Sequence, residues 1–485
     1  MIQIEKVIQQ VMKQKEKLVY CFFILAISSC TSQFKTTTVK EKTLPNSYTI
    51  ATDSSNVADI SLKKYFSDTI LVSLIDTALM NNLDLQIALQ KVEISRSGVR
   101  MANGALLPQV GLNVGGGVRK FGLYTMDGAG NISTEILPGQ MVPINLPDIN
   151  LGLQASWEID IWGKLKNQRK AAISNYLSSI EGTNFVISNL VAEVAIAYYE
   201  LLALDSELEL VQKTILKQQD ALEIVKAQKE AGRANELASQ QFSANLLHSE
   251  ILEKETLQQI YLYENKINFL LGRYPQSIKR KKEVLLKEPP QTFSSGVPSQ
   301  LLANRPDIRR AELLVQASKF DLNAAIAAFY PTVNITAALG FQAFRPDLIF
   351  NMPASFAYNS LGNIVSPLIN RNALKARFSI ANASQLTAIY EYQKIVLNSF
   401  VEVSNELSNF ENLKALNALK KQQSAILLQS VEASNQLFMV GKASYLEVLI
   451  AQQSSLQAEL ELIINTKNQR LAGIGLYKSL GGGWK

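Results

Sequence analysis

Asn150-Leu151-Gly152-Leu153-Gln154-Ala155-Ser156-Trp157-Glu158-Ile159-Asp160-Ile161 alternates for twelve residues between a polar or small side chain and an apolar one. Thr332 to Ala343 does the same, with Val333, Ile335, Ala337, Leu339, Phe341 and Ala343 as its apolar set. A period of two over this length is a strand signal, and twelve residues at about 3.3 Å each reach roughly 40 Å. Strands are predicted at about 149–162 and 330–345, with partners at about 107–124 and 356–369. Gly128, Gly130, Pro138, Gly139, Pro143 and Pro147 mark one connecting loop, and Pro346 and Pro353 the other. Two such hairpins could belong to a soluble sandwich. Against that, the strands are long and their polar face is weakly charged. Trp157, Trp162, Phe329 and Tyr330 also cluster at strand ends, where a membrane barrel carries its aromatic girdles. Four strands cannot close a barrel, which takes at least about eight, so a barrel has to be shared between chains. Two chains would give eight strands and three would give twelve; periodicity leaves that choice open.

The chain is written twice. Gly232-Arg233-Ala234-Asn235-Glu236-Leu237 returns 209 positions later as Gly441-Lys442-Ala443-Ser444-Tyr445-Leu446, and Leu271-Gly272 returns as Leu480-Gly481 at the same shift. A shift of 223 carries Asp84, Ala88 and Leu107-Pro108 onto Asp307, Ala311 and Tyr330-Pro331. The shifts differ by 14, which places a longer connection in the first half. A repeat of this size is one supersecondary unit duplicated around an axis. The copies are expected at 67–280 and 299–485, joined by a linker at 281–298 that contains Pro289-Pro290.

After each hairpin lies a very long pair of helical stretches. From Lys164 to Glu230 there is no proline and one interior glycine, Gly182. Val191, Val194, Ala195, Tyr198, Leu201 and Leu202 recur at helical steps. A helix of that length is a rod of about 100 Å. Helices are predicted at about 164–231, 233–272, 372–440 and 442–480. The reversals fall at Gly232 and Gly441, since glycine takes the positive φ of a tight helix end. Abundant Gln, Ser, Asn and Ala suit a tube wetted on both walls. A shorter helix is expected over Asn81 to Ala105. Its counterpart starts at Asn304-Arg305-Pro306-Asp307, with Asn304 as cap, Pro306 in the first turn and Asp307 at the positive helix end.

At the start of the chain, Lys13, Lys15 and Lys17 precede an apolar run from Leu18 to Ile27. The run is shorter than the roughly 20 residues a spanning helix needs, so 1–29 reads as a signal peptide. Ile27-Ser28-Ser29-Cys30 looks like a lipobox, with small residues admitting the peptidase and the Cys30 thiol carrying the lipid; the alternative is an ordinary signal peptide with a chance cysteine at its end. Residues 30–66 then form a tether, and the mature chain retains one cysteine and no disulfide. Met12 could equally be the start. The formal charge of +6 falls to +4 without the four lysines and two glutamates that precede Cys30. That bias is too small for a nucleic-acid partner, and most of the basic residues are scattered among acids. No mature segment is expected to span a membrane as a helix, so any crossing must be made by strands.

These residues together resemble the TolC-like outer membrane factor family, in its lipoprotein branch of drug-efflux outer membrane subunits. The carriers are Cys30, Trp157-Glu158-Ile159-Asp160-Ile161-Trp162-Gly163, Leu301-Leu302-Ala303-Asn304-Arg305-Pro306-Asp307-Ile308, Tyr330-Pro331, and Gly441-Lys442-Ala443-Ser444-Tyr445-Leu446-Glu447-Val448-Leu449. The resemblance implies an α+β membrane protein and a homotrimer, with a twelve-stranded β-barrel continuous with a twelve-helix periplasmic α-barrel. It implies a periplasmic adaptor and an inner-membrane pump as partners, and no cofactor beyond the lipid on Cys30. It also places adaptor docking at the helix turns, Gly232, Arg233, Gly441 and Lys442, and the interface aromatics at Trp157, Trp162 and Tyr330. The entrance of such a tunnel carries a leucine and, one helical turn on, an aspartate. Here the leucine is Leu446, but the aspartate position holds Ile450 and the arginine-like position after it Gln453, with Glu447 nearby. Leu446 and Ile450 would close a pore by packing and dewetting rather than by charge. The competing reading has Leu446, Leu449 and Ile450 simply packed against neighbouring helices.

An enzyme is a poor alternative. His248 is the only histidine, and Glu158 and Asp160 share a strand face with no cleft around them. A periplasmic coiled-coil adaptor or scaffold lipoprotein without its own pore is the stronger rival. It has no need for duplicated twelve-residue strands.

Overall fold

The structure is a computed structural model. It describes residues 60–281, 283–286, 298–367 and 371–485, together with Pro45, Ser47, Tyr48, Gly296 and Ile369. The signal peptide 1–29, Cys30, most of the tether 30–66 and most of the linker 281–298 lie outside the described residues.

Three helices open the described chain: α1 (Leu62–Tyr65), α2 (Thr69–Asn81) and α3 (Leu83–Gly104). There follow β1 (Gln109–Arg119), α4 (Met126–Ser133), the small hairpin β2 (Glu135–Leu137) and β3 (Gln140–Met141), and β4 (Leu146–Ile159). The first long helix pair is α5 (Lys164–Glu230) and α6 (Glu236–Leu270). Two short helices, α7 (Glu283–Leu286) and α8 (Gln300–Asn304), lead to α9 (Pro306–Ala327), β5 (Thr332–Ala343) and β6 (Phe356–Val365). The chain ends in the second long pair, α10 (Asn372–Met439) and α11 (Tyr445–Ser479).

The repeat is visible in the element ends. Helices α3 and α9 are 223 residues apart at start and finish, and α6 and α11 are 209 apart at both. The change of shift falls in one place. The connection from β1 to β4 has 26 residues (120–145) and that from β5 to β6 has 12 (344–355), a surplus of 14. Those residues form α4 and the β2–β3 hairpin, so the expected plain loop has structure of its own.

Several boundaries differ from the sequence expectation, each for a local reason. The strand expected to reach residue 124 stops at Arg119, and Thr125 caps α4 by accepting from the Gly128 N–H at 3.1 Å. Helix α6 starts at Glu236 rather than 233 because the Asn235 side chain caps it, 2.9 Å from the Ala238 N–H. A capping box at Ser444 delays α11 in the same way. Asn304 does not cap α9; it ends α8, and Arg305 occupies the position before Pro306. Arg305 is a buried hub. It donates to Asp307 at 2.7 and 3.0 Å, to Glu402 at 2.7 Å and to the Ser479 carbonyl at 2.8 Å.

The chain forms two compact units, and these are not the two repeats. One holds Ser95–Tyr176 with Leu314–Ile389, and carries the main sheet. The other holds Leu177–Leu313 and Tyr390–Lys485 with the described residues up to Ile94. Each draws on both copies because matching elements pair sideways across the repeat. In the helical unit, Val191, Val194, Tyr198, Leu201 and Leu202 of α5 are buried against Leu71 and Ile75 of α2 and Ile267 of α6. This stretch corrects the expectation that no segment is long and apolar enough to span a bilayer. Helix α5 passes that test, but most of its apolar window is buried inside the protein, as in a core helix.

Candidate functional site

The main sheet runs β1-β4-β5-β6, antiparallel throughout. Residues directly opposite each other share a face. Leu112 faces Leu153, Leu153 faces Leu339 and Leu339 faces Tyr358. The pairs Val114–Leu151, Leu151–Phe341 and Phe341–Phe356 form the next such row. That face is apolar across the four strands apart from Ser360 and Gly362 of β6, and much of it is exposed: Val110, Leu112, Val114, Leu153, Leu339 and Tyr358 are all open. The other face holds Asn113, Asn150, Gln154, Asn334, Thr336, Gln342, Asn359 and Asn363 among small residues, with Leu361 and Val365 of β6 as its exposed apolar exceptions. Its polar groups bond to one another, Asn113 to Asn150 at 3.1 Å and Gln342 to Asp148 at 2.7 Å. Among the described residues, β1 and β6 each pair on one side only.

Aromatic groups sit at both ends of the sheet. Trp162 stacks on Tyr330 at 5.0 Å and donates to the Pro331 carbonyl at 2.7 Å. Trp157 donates to the Leu106 carbonyl at 3.0 Å. At the opposite end Phe341 meets Phe350 and Phe356, and Phe356 meets Tyr358. This second cluster was not read from the sequence, although Phe350 and Phe356 bracket the Pro353 turn. Glu158 and Asp160, grouped in sequence, have separate tasks. Glu158 pairs with Lys164 at 2.5 Å, and Asp160 caps α5 by accepting from the Leu165 and Lys166 N–H groups at 3.0 and 2.8 Å.

The reversals of the long helices are built alike. Gly232 (φ +69°) donates to Lys229 O at 2.9 Å, while Arg233 N–H reaches Gln228 O at 2.8 Å. Gly441 (φ +74°) donates to Phe438 O at 3.0 Å and Lys442 to Leu437 O at 2.8 Å. This is the Schellman arrangement, which satisfies the last helical carbonyls and needs a left-handed residue. Arg233 and Lys442 are exposed.

Beyond the second turn, residues 446–453 of α11 meet different environments. Val448 and Leu449 are 2% and 5% exposed, in a cluster with Leu222, Val225, Ala238 and Phe242. Leu446 and Ile450 are 48% and 54% exposed, one helical turn apart on the open side of α11. Within one chain Leu449 is therefore packed, while Leu446 and Ile450 are open. Glu447 caps its own helix, accepting from the Ser444 N–H at 2.5 Å and the Ser444 hydroxyl at 3.0 Å. Those bonds hold its carboxyl below the usual range. Gln453 donates to Asn245 of α6 at 3.0 Å and so ties the second helix pair to the first. Among the described residues no group of three or more His, Cys, Asp or Glu is arranged to hold a metal ion.

Residues 74–273 and 297–482 match the family model described as outer membrane efflux protein, one segment in each repeat. The chain is 28% identical over 432 residues to the toluene efflux pump outer membrane protein TtgF of Pseudomonas putida, covering 88% of this chain and 86% of that protein. It is also 28% identical over 365 residues to the cation efflux system protein CusC of Escherichia coli, covering 74% and 75%. Among solved structures, the open state of the Neisseria gonorrhoeae MtrE outer membrane channel matches with a TM-score of 0.80 at 23% identity, over 94% of this chain and 98% of that one. The fold is that of these channels. Spanned by the family pattern in both of its repeats, this chain belongs to the outer membrane efflux protein family.

Proposed function

We propose that three copies of this chain form the outer membrane exit duct of a tripartite efflux pump. A periplasmic adaptor and an inner-membrane pump deliver the cargo, and the duct itself is passive. The observation that carries this reading is the main sheet. Its exposed apolar face, its largely polar opposite face and its two open edges are what one segment of a membrane barrel requires. Tyr330 and Phe341, near the two aromatic ends, are eleven residues apart. That is about 36 Å along a strand and about 28 Å after a tilt of about 40°, close to the apolar band of such barrels.

Three chains then give twelve strands, with the edge β1 of each copy pairing with β6 of the next. Twelve long helices continue the wall into the periplasm. Leu446 and Ile450, on the open side of α11, narrow the entrance as a dewetted constriction. Glu447 is engaged as a cap, and Gln453 holds the two helix pairs together through Asn245. The adaptor docks at the reversals around Gly232, Arg233, Gly441 and Lys442. The lipid on Cys30 adds an anchor, with 1–29 removed and 30–66 as tether. The repeats 67–280 and 299–485, joined by the linker 281–298, each supply one hairpin of strands and one of helices.

Deletion of the gene, a panel of toxic compounds and adaptor pull-down test the reading together. Increased susceptibility to some compounds and recovery of an adaptor are expected. Unchanged susceptibility with no adaptor recovered contradicts it. The Cys30→Ala protein is expected to remain in the outer membrane through its barrel; a soluble Cys30→Ala protein contradicts the barrel.

A further inference from the structure

Both long helices that leave the main sheet begin in basic sequence. Between Lys164 and Ile180, and between Arg371 and Tyr390, there are seven cations and no acid. On α5 the cations divide between two sides. Lys164 reaches Glu158, which faces Asn334 on the polar face of the sheet. At about 100° per residue, Lys166, Arg169 and Lys170 lie about 140–240° around the helix from Lys164. They therefore continue the apolar face, and all three are exposed. Lys170 also rests over the Phe320 ring at 5.5 Å. Among the described residues none of the three has a carboxylate partner. Asp160, the nearest acid along the chain, is held by the backbone N–H groups of Leu165 and Lys166.

The patch begins where the aromatic cluster ends. Trp162 and Tyr330 are stacked just before the first turn of α5, and Lys166 to Lys170 occupy about the next 10 Å. Apolar strand face, aromatic ring pair and unpaired cations follow one another from the sheet into the start of α5. The same order is met on passing from the hydrocarbon of a bilayer through its interface to the headgroups.

We propose that Lys166, Arg169 and Lys170 form a docking surface for anionic phospholipid of the leaflet facing the long helices, binding the headgroup phosphate while the acyl chains lie on the apolar sheet face. Arg169 presents a planar fork suited to phosphate, and the two lysines supply mobile charge. This inference rests on the sheet's lying in the membrane. It adds a lipid class and the residues that select it.

The test uses the purified full chain in detergent with equimolar phosphatidylglycerol and phosphatidylcholine of matched acyl chains, and native mass spectrometry to count retained lipid. The wild type is expected to retain phosphatidylglycerol severalfold over phosphatidylcholine, and to lose that preference in high salt. Each cation near an anionic headgroup changes affinity about fivefold. K166Q/R169Q/K170Q is therefore expected to retain severalfold less phosphatidylglycerol, down to the level of phosphatidylcholine, with phosphatidylcholine unchanged. K166R/K170R keeps the charge and is expected to behave as wild type, as is K213Q/K217Q farther along α5. Equal retention of the two lipids by the wild type overturns the proposal, as does a triple glutamine variant that retains as much phosphatidylglycerol as the wild type. If that variant does not assemble, the salt dependence of the wild type decides. A protein that never enters the membrane fraction contradicts the barrel instead, whereas an inserted protein without lipid preference contradicts only this inference.

Discussion

Gly152 of β4 and Gly340 of β5 stand directly opposite each other in the strand pair that joins the two repeats, and neither has room for a side chain. A Cβ on Gly152 would lie 2.6 Å from the Leu339 carbonyl oxygen and 2.8 Å from the Gly340 Cα. The obstruction is backbone, which cannot rotate aside. The two hairpins are thus joined by a contact that only glycine on both strands allows.

Gly340→Val should therefore weaken the central strand pair by about 1–3 kcal/mol, the range for overpacking a fitted contact. Gly362→Val, with nothing near its Cβ position, is the control. Thermal unfolding of the detergent-purified proteins is the measurement, and a lower midpoint is expected for Gly340→Val alone.

Helix α11 offers a separation of stability from conduction. Leu449 is buried, so Leu449→Ala is expected to cost about 2–5 kcal/mol. Ile450 is open, so Ile450→Asp should leave thermal stability within about 0.5 kcal/mol. The same change puts a ring of charge at the proposed constriction, and planar-bilayer recordings are expected to show altered conductance and cation preference. Unaltered conductance would assign Ile450 to packing between copies.

The Glu447 cap makes the first turn of α11 sensitive to pH. The folded carboxyl titrates below its ordinary value because it accepts the Ser444 N–H. A depressed pKa means that the cap's contribution is present above the unfolded value, near 4.3. It is lost as pH falls through the folded value. Amide exchange at Val448 and Leu449 should be severalfold faster in Glu447→Ala than in the wild type at neutral pH, with the difference shrinking below about pH 4.

Arg305 holds three partners from a buried position. Arg305→Ala strips Asp307 and Glu402 of their cation at once and is expected to cost about 3–5 kcal/mol. Arg305→Lys keeps the charge but lacks the fork that bonds both Asp307 oxygens, and should fall between the two. Chemical denaturation of the three proteins orders them.

Local periodicity reveals which face a residue occupies, and in this chain it revealed much. The alternation from Asn150 to Ile161 marks the apolar face of β4, and the 209-residue shift from Gly232 to Gly441 lands on two reversals with the same hydrogen bonds. What stayed hidden depends on neighbours distant in sequence. Arg305 reads as part of a helix start until Glu402 and Ser479 arrive beside it. The pairing of β4 with β5 depends on two glycines 188 positions apart. Leu446, Leu449 and Ile450 are equally apolar in sequence, and only the position of Phe242 and Val225 shows which one is covered. The second aromatic end was missed because its members come from a strand, a loop and the next strand.

The most direct measurement is the stoichiometry of the full-length protein extracted from outer membranes, by native mass spectrometry in mild detergent. Three chains per particle are expected, since the open edges of β1 and β6 then close into a twelve-stranded ring. A stable particle of one or two chains would contradict it.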